Sequence, residues 1–551
     1  MAIDLVIDEQ SALSAAWKCQ RTGNFVAALD HSRESLRRWP DSHGLQYLAI
    51  LALASCGATQ AAIDALRASG LGAGKDEDSQ ALEARLLKDM AFGRFSAGAG
   101  PLAEAAGAYE RVAERTGGTY SRQNAALLWM LAGDEDRALR LAAAVVHQLR
   151  SAQVPGDEQG AYFYWATLAE AALVLGDHAG FERARSAADP MCRRNAWARS
   201  RTVQQMLRLG TLRPECAALV KQWYRPPVGL VLEHAAAGGL GEAAPVEAGD
   251  LPALAFCFGR RPEFNWRELA TLGVQLHAIY PDVPPDQSMP PASDIQPERD
   301  ASGSADTHTW SSLLLDDADD PQACAQTALG LSLGQADELR APWVVLARAP
   351  DGWAIYRQAN RATVRDTLRS ADSGPATRAT YAFLFADVVS YSALNTAETR
   401  RYWTQLLPVT AAAVLQRHAP GVVLRKTWGD SVHAVFKTAG EAASAALQIQ
   451  EATANLSEEL GRGRRLVFRM ALHFGPADAG IDPVEHTPSV FGPQLSLAAR
   501  IEPVAPPGGV FVTEAFAARL SLEGAHIGHC SYVGTTQLPK SYGRVRLLRL
   551  V

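Results

Sequence analysis

A chain of 551 residues is long enough for about three domains. With 48% hydrophobic and 20% charged residues it is globular rather than disordered, and a net charge of −6 argues against nucleic-acid binding as its main business. The amino terminus, MAIDLVIDEQ, lacks the basic region of a secretory signal, and the longest apolar run, LQYLAILALASC at 45–56, is too short to span a bilayer. The seven cysteines are scattered and odd in number, so neither a disulfide framework nor a zinc site is expected, and a cytoplasmic location suits them.

Residues 1–250 read as paired helices. GNFVAALDHSRESL from Gly23 and GATQAAIDALRAS from Gly57 carry Gly, Ala, Ala and Asp at matching places, 34 residues apart. Echoes follow at Gly100, Gly133 and Gly176, with glycines breaking the chain between small-residue helices. The region resembles a tetratricopeptide array with loose spacing; a non-repeating helical bundle is the alternative. Such an array stacks into a curved scaffold that takes a protein or peptide partner, here unidentified. GLGAGKD at 70–76 is one residue short of a phosphate-binding loop and has Asp76 where a hydroxyl is needed, so it is read as a turn.

Residues 251–370 read as a small α/β unit. LPALAFCFGR is an apolar strand, FNWRELATLGVQLHAIY a helix and strand, PQACAQTALGLSLGQADEL a helix, and APWVVLARA and GWAIYRQ two strands. Residues 281–309 are rich in Pro, Asp and Ser and are expected to be a disordered insertion; 369–380 is a second linker.

From 381 to 551 the pattern is strand, long helix, hairpin, helix, strand, helix, strand, which predicts a mixed α+β sheet domain. Two aspartates stand in apolar settings, Asp387 ending FLFAD and Asp430 in the turn of KTWGDSVHAVF. If strand and hairpin are neighbours, the two carboxylates can meet. Their repulsion would be relieved by Mg²⁺ or Mn²⁺, two per site, which take hard oxygen ligands and suit in-line phosphoryl displacement. The residues after Asp387, VVSYS, with Ser392 at their end, could turn amides toward phosphates. Spacing alone leaves open a capping Asp and a turn Asp unrelated in space.

The ordered set FADVVSYS, KTWGDSVHAVF, HFGP, FGPQLSLAARIE and PGGVFVT resembles the class III nucleotidyl cyclase catalytic domain, a ferredoxin-like palm, over about 381–551. The resemblance implies an enzyme, an adenylate cyclase-type phosphorus–oxygen lyase acting on a nucleoside triphosphate, ATP favoured. It implies a head-to-tail homodimer through this domain, with each site shared between protomers. It makes Asp387 and Asp430 the metal ligands, Arg500 the stabiliser of charge on the transferring phosphate, and Lys426 the base-reading residue. Lys540, in LPKSYG, lies near the family's terminal-phosphate lysine. Two departures weaken the match. Ser489 stands at the second base-reading position, and Ser496 stands where the family has a transition-state asparagine. Another base (GTP, UTP or CTP) and a catalytically silent dimerisation module therefore remain as alternatives.

Overall fold

The computed structural model describes residues 8–551 except for 72–76, 93–97, 233–239, 246–250, 259–273, 282–310, 316–320, 365–378, 416–420, 460–465 and a few shorter stretches. Nearly all of the 281–309 insertion, most of the 369–380 linker and most of the 70–76 turn lie outside the described residues.

The amino-terminal region is helical: α1 (Glu9–Arg21), α2 (Phe25–Arg38), α3 (His43–Ser55), α4 (Thr59–Ser69), α5 (Glu77–Ala91), α6 (Ala99–Thr116), α7 (Thr119–Ala132), α8 (Glu135–Arg150), α9 (Glu158–Leu175), α10 (His178–Ala188), α11 (Ala196–Leu209) and α12 (Pro214–Lys221). The recurring glycines have a backbone reason. Gly70, Gly117, Gly133 and Gly176 end their helices in the left-handed conformation, which glycine adopts without a Cβ penalty. Asn24, Ser42, Asp134, Asp157 and Asp177 start helices by accepting the backbone N–H three residues on.

The middle region is a seven-stranded mixed sheet. Its strands are β1 (Val228–Leu232), β2 (Ala244–Pro245), β3 (Leu254–Phe258), β4 (Gln275–Pro281), β5 (Ser311–Leu315), β6 (Trp343–Ala349) and β7 (Gly352–Tyr356), in the order β2-β7-β6-β1-β3-β4-β5. One reading is corrected here: Val228–Leu232, placed with the helices by sequence, is a central strand pairing parallel to β3 and β6. All five of its residues are buried, so it has no alternation to announce it. Helix α13 (Pro321–Glu338) packs on this sheet and also reaches the last region.

The carboxy-terminal sheet has β8 (Ala379–Val388), β9 (Val422–Trp428), β10 (Ser431–Phe436), β11 (Phe468–Ile481), β12 (Pro488–Phe491), β13 (Val510–Thr513), β14 (Cys530–Gln537) and β15 (Arg544–Leu550). Its order is β14-β15-β13-β11-β8-β10-β9, with β12 folded back on β11. Helices α14 (Thr396–Arg401), α15 (Leu407–Leu415), α16 (Ala439–Glu459), α17 (Pro493–Ile501) and α18 (Glu514–Glu523) surround it. One face is a fully apolar core: Ala382, Leu384, Ala386 and Val388 of β8 alternate into it with Phe436, Met470, Leu472 and Phe516. The other face carries Asp387, Arg469 and Lys426.

The middle and last regions meet closely. A Cβ on Gly330 of α13 would come 2.4 Å from the Ala518 carbonyl oxygen of α18, so this crossing requires glycine. Beside it, Glu514 sits 3.1 Å from His277 and 2.9 Å from Arg546. Burial opposes its ionisation, but its contacts with His277 and Arg546 outweigh burial and hold its carboxyl down to about 2.

Candidate active site

Strand pairing brings the two aspartates together. β8 runs antiparallel to β10, with Asp387 opposite Ser431, the residue after the hairpin turn. The turn needs Gly429, at φ +59°, and it delivers Asp430 to the end of β8, where the Val388 amide donates to the Asp430 carbonyl oxygen at 3.3 Å. Both side chains are half-buried. Burial, and then the neighbouring Asp430 carboxylate, raise the Asp387 carboxyl above its ordinary value, while Arg469 pulls it down.

Two residues of this cluster escaped the sequence reading. Arg469 lies directly across from Asp387 on β11, and its Nη2 donates to Asp387 Oδ2 at 2.9 Å. Its Nε donates to Glu502, just beyond α17. Burial, backed by the charges of Asp387 and Asp430, pushes Glu502 up to about 7 against the pull of Arg469. The available signal was a lone arginine inside the apolar strand FRMALHF, and the Glu of AARIE.

The donor set suits a hard divalent cation: two adjacent carboxylates, with Asp430 adding to the cost of ionising Asp387. Among the described residues no group of three or more His, Cys, Asp or Glu is arranged to hold a metal, so any ion here would depend on these two carboxylates plus oxygens from elsewhere.

Lys426 belongs to a second cluster on the same face. It stands opposite His433, which stacks on Phe385 with ring centroids 4.4 Å apart. Burial, then the Lys426 charge, hold the His433 imidazole down at about 4. Lys426 Nζ is 3.9 Å from Asp482 Oδ2, and the other oxygen of Asp482 accepts from the Val484 amide at 2.8 Å. Ser489 faces Gly480 across the β11–β12 ribbon, two residues from Asp482, and β12 lies against β9. Lys426 and Asp482 therefore meet, and Ser489 lies on the neighbouring strand β12.

Ser496 and Arg500, four residues apart on α17, share a helix face; Ser496 is exposed and Arg500 half-buried. Ser392 is exposed in the short turn Tyr391–Ala393, after Ser390 at φ +57°. The amides of Val388, Val389, Ala393 and Leu394 around that turn are taken by carbonyls of Asp430, Val467, Ser390 and Tyr391. Lys540 lies outside the described residues.

His473, in HFGP, is structural. Its Nε2 pairs with Gln494 Oε1 at 2.5 Å and its Nδ1 with Thr513 Oγ1 at 2.8 Å, tying β11 to α17 and to the start of α18. With Gln494 Oε1 as acceptor, Nε2 carries the proton and Nδ1 accepts from the Thr513 hydroxyl. Burial keeps this imidazole neutral down to about 4, although Gln494 favours its charged form. The unfolded chain takes up that proton near its ordinary value of about 6.5, so stability present above that pH is lost as pH falls toward 4, by up to about 3 kcal/mol. Denaturant titrations at about pH 7 and about pH 5 should show this loss, and His473→Gln should shrink it.

Residues 24–129 match the family Tetratricopeptide Repeats-Sensor, and residues 377–543 match the family Adenylate and Guanylate cyclase catalytic domain. The chain is 32% identical over 136 residues to "Putative adenylate cyclase 3" of Rhizobium meliloti (strain 1021), which covers 24% of this chain and only 22% of that protein. Among solved structures it is similar to the adenylyl cyclase CyaB from P. aeruginosa, at 16% identity and TM-score 0.27, over 32% of this chain and 94% of that one. It is also similar to the guanylate cyclase domain of RhGC from Catenaria anguillulae, at 17% identity and TM-score 0.27, over 32% and 98%. No helix among the described residues is long and apolar enough to cross a membrane. The chain thus carries tetratricopeptide repeats of the sensor family at residues 24–129 and a class III adenylate and guanylate cyclase catalytic domain at residues 377–543.

Proposed function

We propose that this protein is a cytoplasmic nucleotidyl cyclase that converts ATP to 3′,5′-cyclic AMP and pyrophosphate as a homodimer through residues 381–551, regulated by a partner of its helical repeats. The observation that carries this reading is the juxtaposition of Asp387 and Asp430 on an otherwise apolar strand and its neighbouring turn. Nothing in folding calls for two repelling carboxylates there.

Asp387 and Asp430 would hold Mg²⁺ or Mn²⁺, two per site. Such ions, when bound, ease loss of the ribose 3′-hydroxyl proton and neutralise charge on the phosphates. The 3′-oxygen attacks the α-phosphorus in line, the bond to the bridging oxygen breaks, and pyrophosphate leaves. Arg469 fixes the Asp387 carboxylate through its 2.9 Å bond and keeps it aimed at the site. Arg500 donates to the phosphoryl oxygens as charge builds, with the Ser496 hydroxyl as a shorter second donor. With the amides on either side of that turn already bonded to carbonyls, the exposed Ser392 hydroxyl is the group there that would support the phosphates, as would Lys540.

Lys426 donates to the base, with Ser489 beside it. An ammonium fits the lone pair of adenine N1, which guanine replaces with an N–H. Lys426 pairs with Asp482, and Asp387 with Arg469, which also holds Glu502, so the two clusters have separate partners within one chain. This supports a symmetric dimer in which each site takes its carboxylates from one protomer, and Arg500 and Lys426 from the other.

The test is incubation with Mn²⁺ and each of the four ribonucleoside triphosphates, with mass detection of cyclic products. Cyclic AMP should dominate; no cyclic product from any of them would overturn the reading. Lys426→Glu should lower kcat/KM for ATP by about 10²-fold and improve GTP relative to ATP, because an acceptor replaces a donor against the base edge. An unchanged ATP-to-GTP ratio would remove Lys426 from base reading.

A further inference from the structure

The helical repeats and the catalytic sheet are joined by a seam far apart in sequence. Helix α2 lies against β14, and Phe25, Val26 and Cys56 are at most 3% exposed. They form one apolar cluster with Ala471, Ile501, Ala505, Phe511, Val533, Leu538 and Leu547. Polar contacts fix the register of this seam. The Asn24 side-chain oxygen caps α2 by accepting from the Ala27 amide at 3.3 Å, and it accepts again from the Thr535 amide of β14 at 3.1 Å. A Cβ on Gly534 would lie 2.2 Å from that oxygen, so glycine at this bulge is what lets Asn24 approach. On the other side, Arg549 Nη1 donates to the Ala54 carbonyl oxygen at 3.4 Å.

The location of the seam matters more than its existence. Phe511 pairs with Ala471, and Ala471 with Phe385, so by strand pairing the seam covers the same sheet face that carries Asp387, Arg469 and Lys426. Ile501 is the residue after Arg500 and is completely buried in the cluster, with Leu497 packed against it. One side of α17 therefore faces the apolar cluster that the repeats help to close, while the flank beside it presents Ser496 and Arg500. Leu538, 1% exposed in the same cluster, lies two residues before Lys540 in the sequence.

We propose that α2 of the helical repeats is a positioning element of the catalytic face: Asn24, Phe25 and Val26 hold α17, and through Ile501 they hold Arg500 in place. The catalytic domain is on this account incomplete without its repeats, and a ligand or partner that shifts α2 changes turnover through Arg500. The activity part rests on the function proposed above; the packing part does not.

The test uses the full-length chain with Val26→Asp, which puts a charge into the seam, Val26→Ile as the conservative control, and Asn24→Ala as a milder cut should the aspartate variant misfold. Hydrogen exchange is followed in 497–505 and 530–538, alongside kcat and KM. Loosening the seam should speed exchange in both segments and lower kcat by about tenfold or more with KM little changed, and Val26→Ile should restore both. Unchanged exchange in 497–505 in a folded Val26→Asp or Asn24→Ala protein overturns the packing claim. Faster exchange with an unchanged kcat overturns the positioning claim. If the wild-type chain makes no cyclic nucleotide, the function reading fails, and the exchange arm still decides the seam.

Discussion

Asp387→Asn is expected to reduce nucleotide turnover by about 10³-fold or more while the protein stays folded. Asparagine keeps the shape but loses the charge, and it places an amide donor where a cation would sit. The stability cost should be small because two effects oppose. The bond to Arg469 weakens, but one of two mutually repelling, half-buried carboxylates is gone. A melting temperature within a few degrees of wild type, at about 1 kcal/mol or less, together with lost activity separates a functional role from a structural one. A folded Asp387→Asn protein that still turns over would remove the aspartate pair from catalysis.

The second large effect is expected at Arg500. Arg500→Ala should lower kcat by about 10²- to 10³-fold with little change in KM, since charge on the transferring phosphoryl group develops after the substrate is bound. Arg500→Lys should recover only part, because a point charge replaces a planar fork that can give two parallel hydrogen bonds. A rise in KM with kcat unchanged would instead make Arg500 a ground-state contact.

Much of the catalytic region was legible in the sequence because its signals are local. YAFLFADVV is an apolar strand, WGD is a turn whose glycine takes positive φ, and GPQLSLAARIE reads as a helix. Asp387 and Asp430 stood out because carboxylates are rare among such neighbours. What stayed hidden depends on pairing between distant strands. Arg469 becomes part of the site only because β11 sets it opposite Asp387, and Asp482 reaches Lys426 only through the fold of the β11–β12 ribbon. Strand β1 was hidden for another reason. VGLVL is short and apolar throughout, with Val228, Leu230 and Leu232 buried in one cluster and Val231 in another, so no period marks it as strand rather than helix. The seam between Asn24 and Thr535 joins residues 511 apart, which no pattern within either segment records.

The helical repeats carry a second polar cluster worth noting for stability. Lys88 donates to Asn124 at 2.7 Å and to Gln205 at 3.3 Å, and Gln205 donates to Glu170 at 3.0 Å. Burial brings Lys88 down to about 8 and Glu170 up to about 7, so this network ties α5, α7, α9 and α11 together with little net charge.

The central claim is that one chain supplies two halves of a catalytic site, and that two copies complete it. Mixing the Asp387→Asn and Arg500→Ala proteins tests this most directly. A mixed dimer pairs the intact carboxylates of one protomer with the intact arginine of the other in one of its two sites. An equimolar mixture at dimer-forming concentration should therefore recover about a quarter of wild-type cyclic nucleotide production, although each variant alone is nearly inactive. A mixture no more active than the sum of its two components would contradict a site shared between protomers.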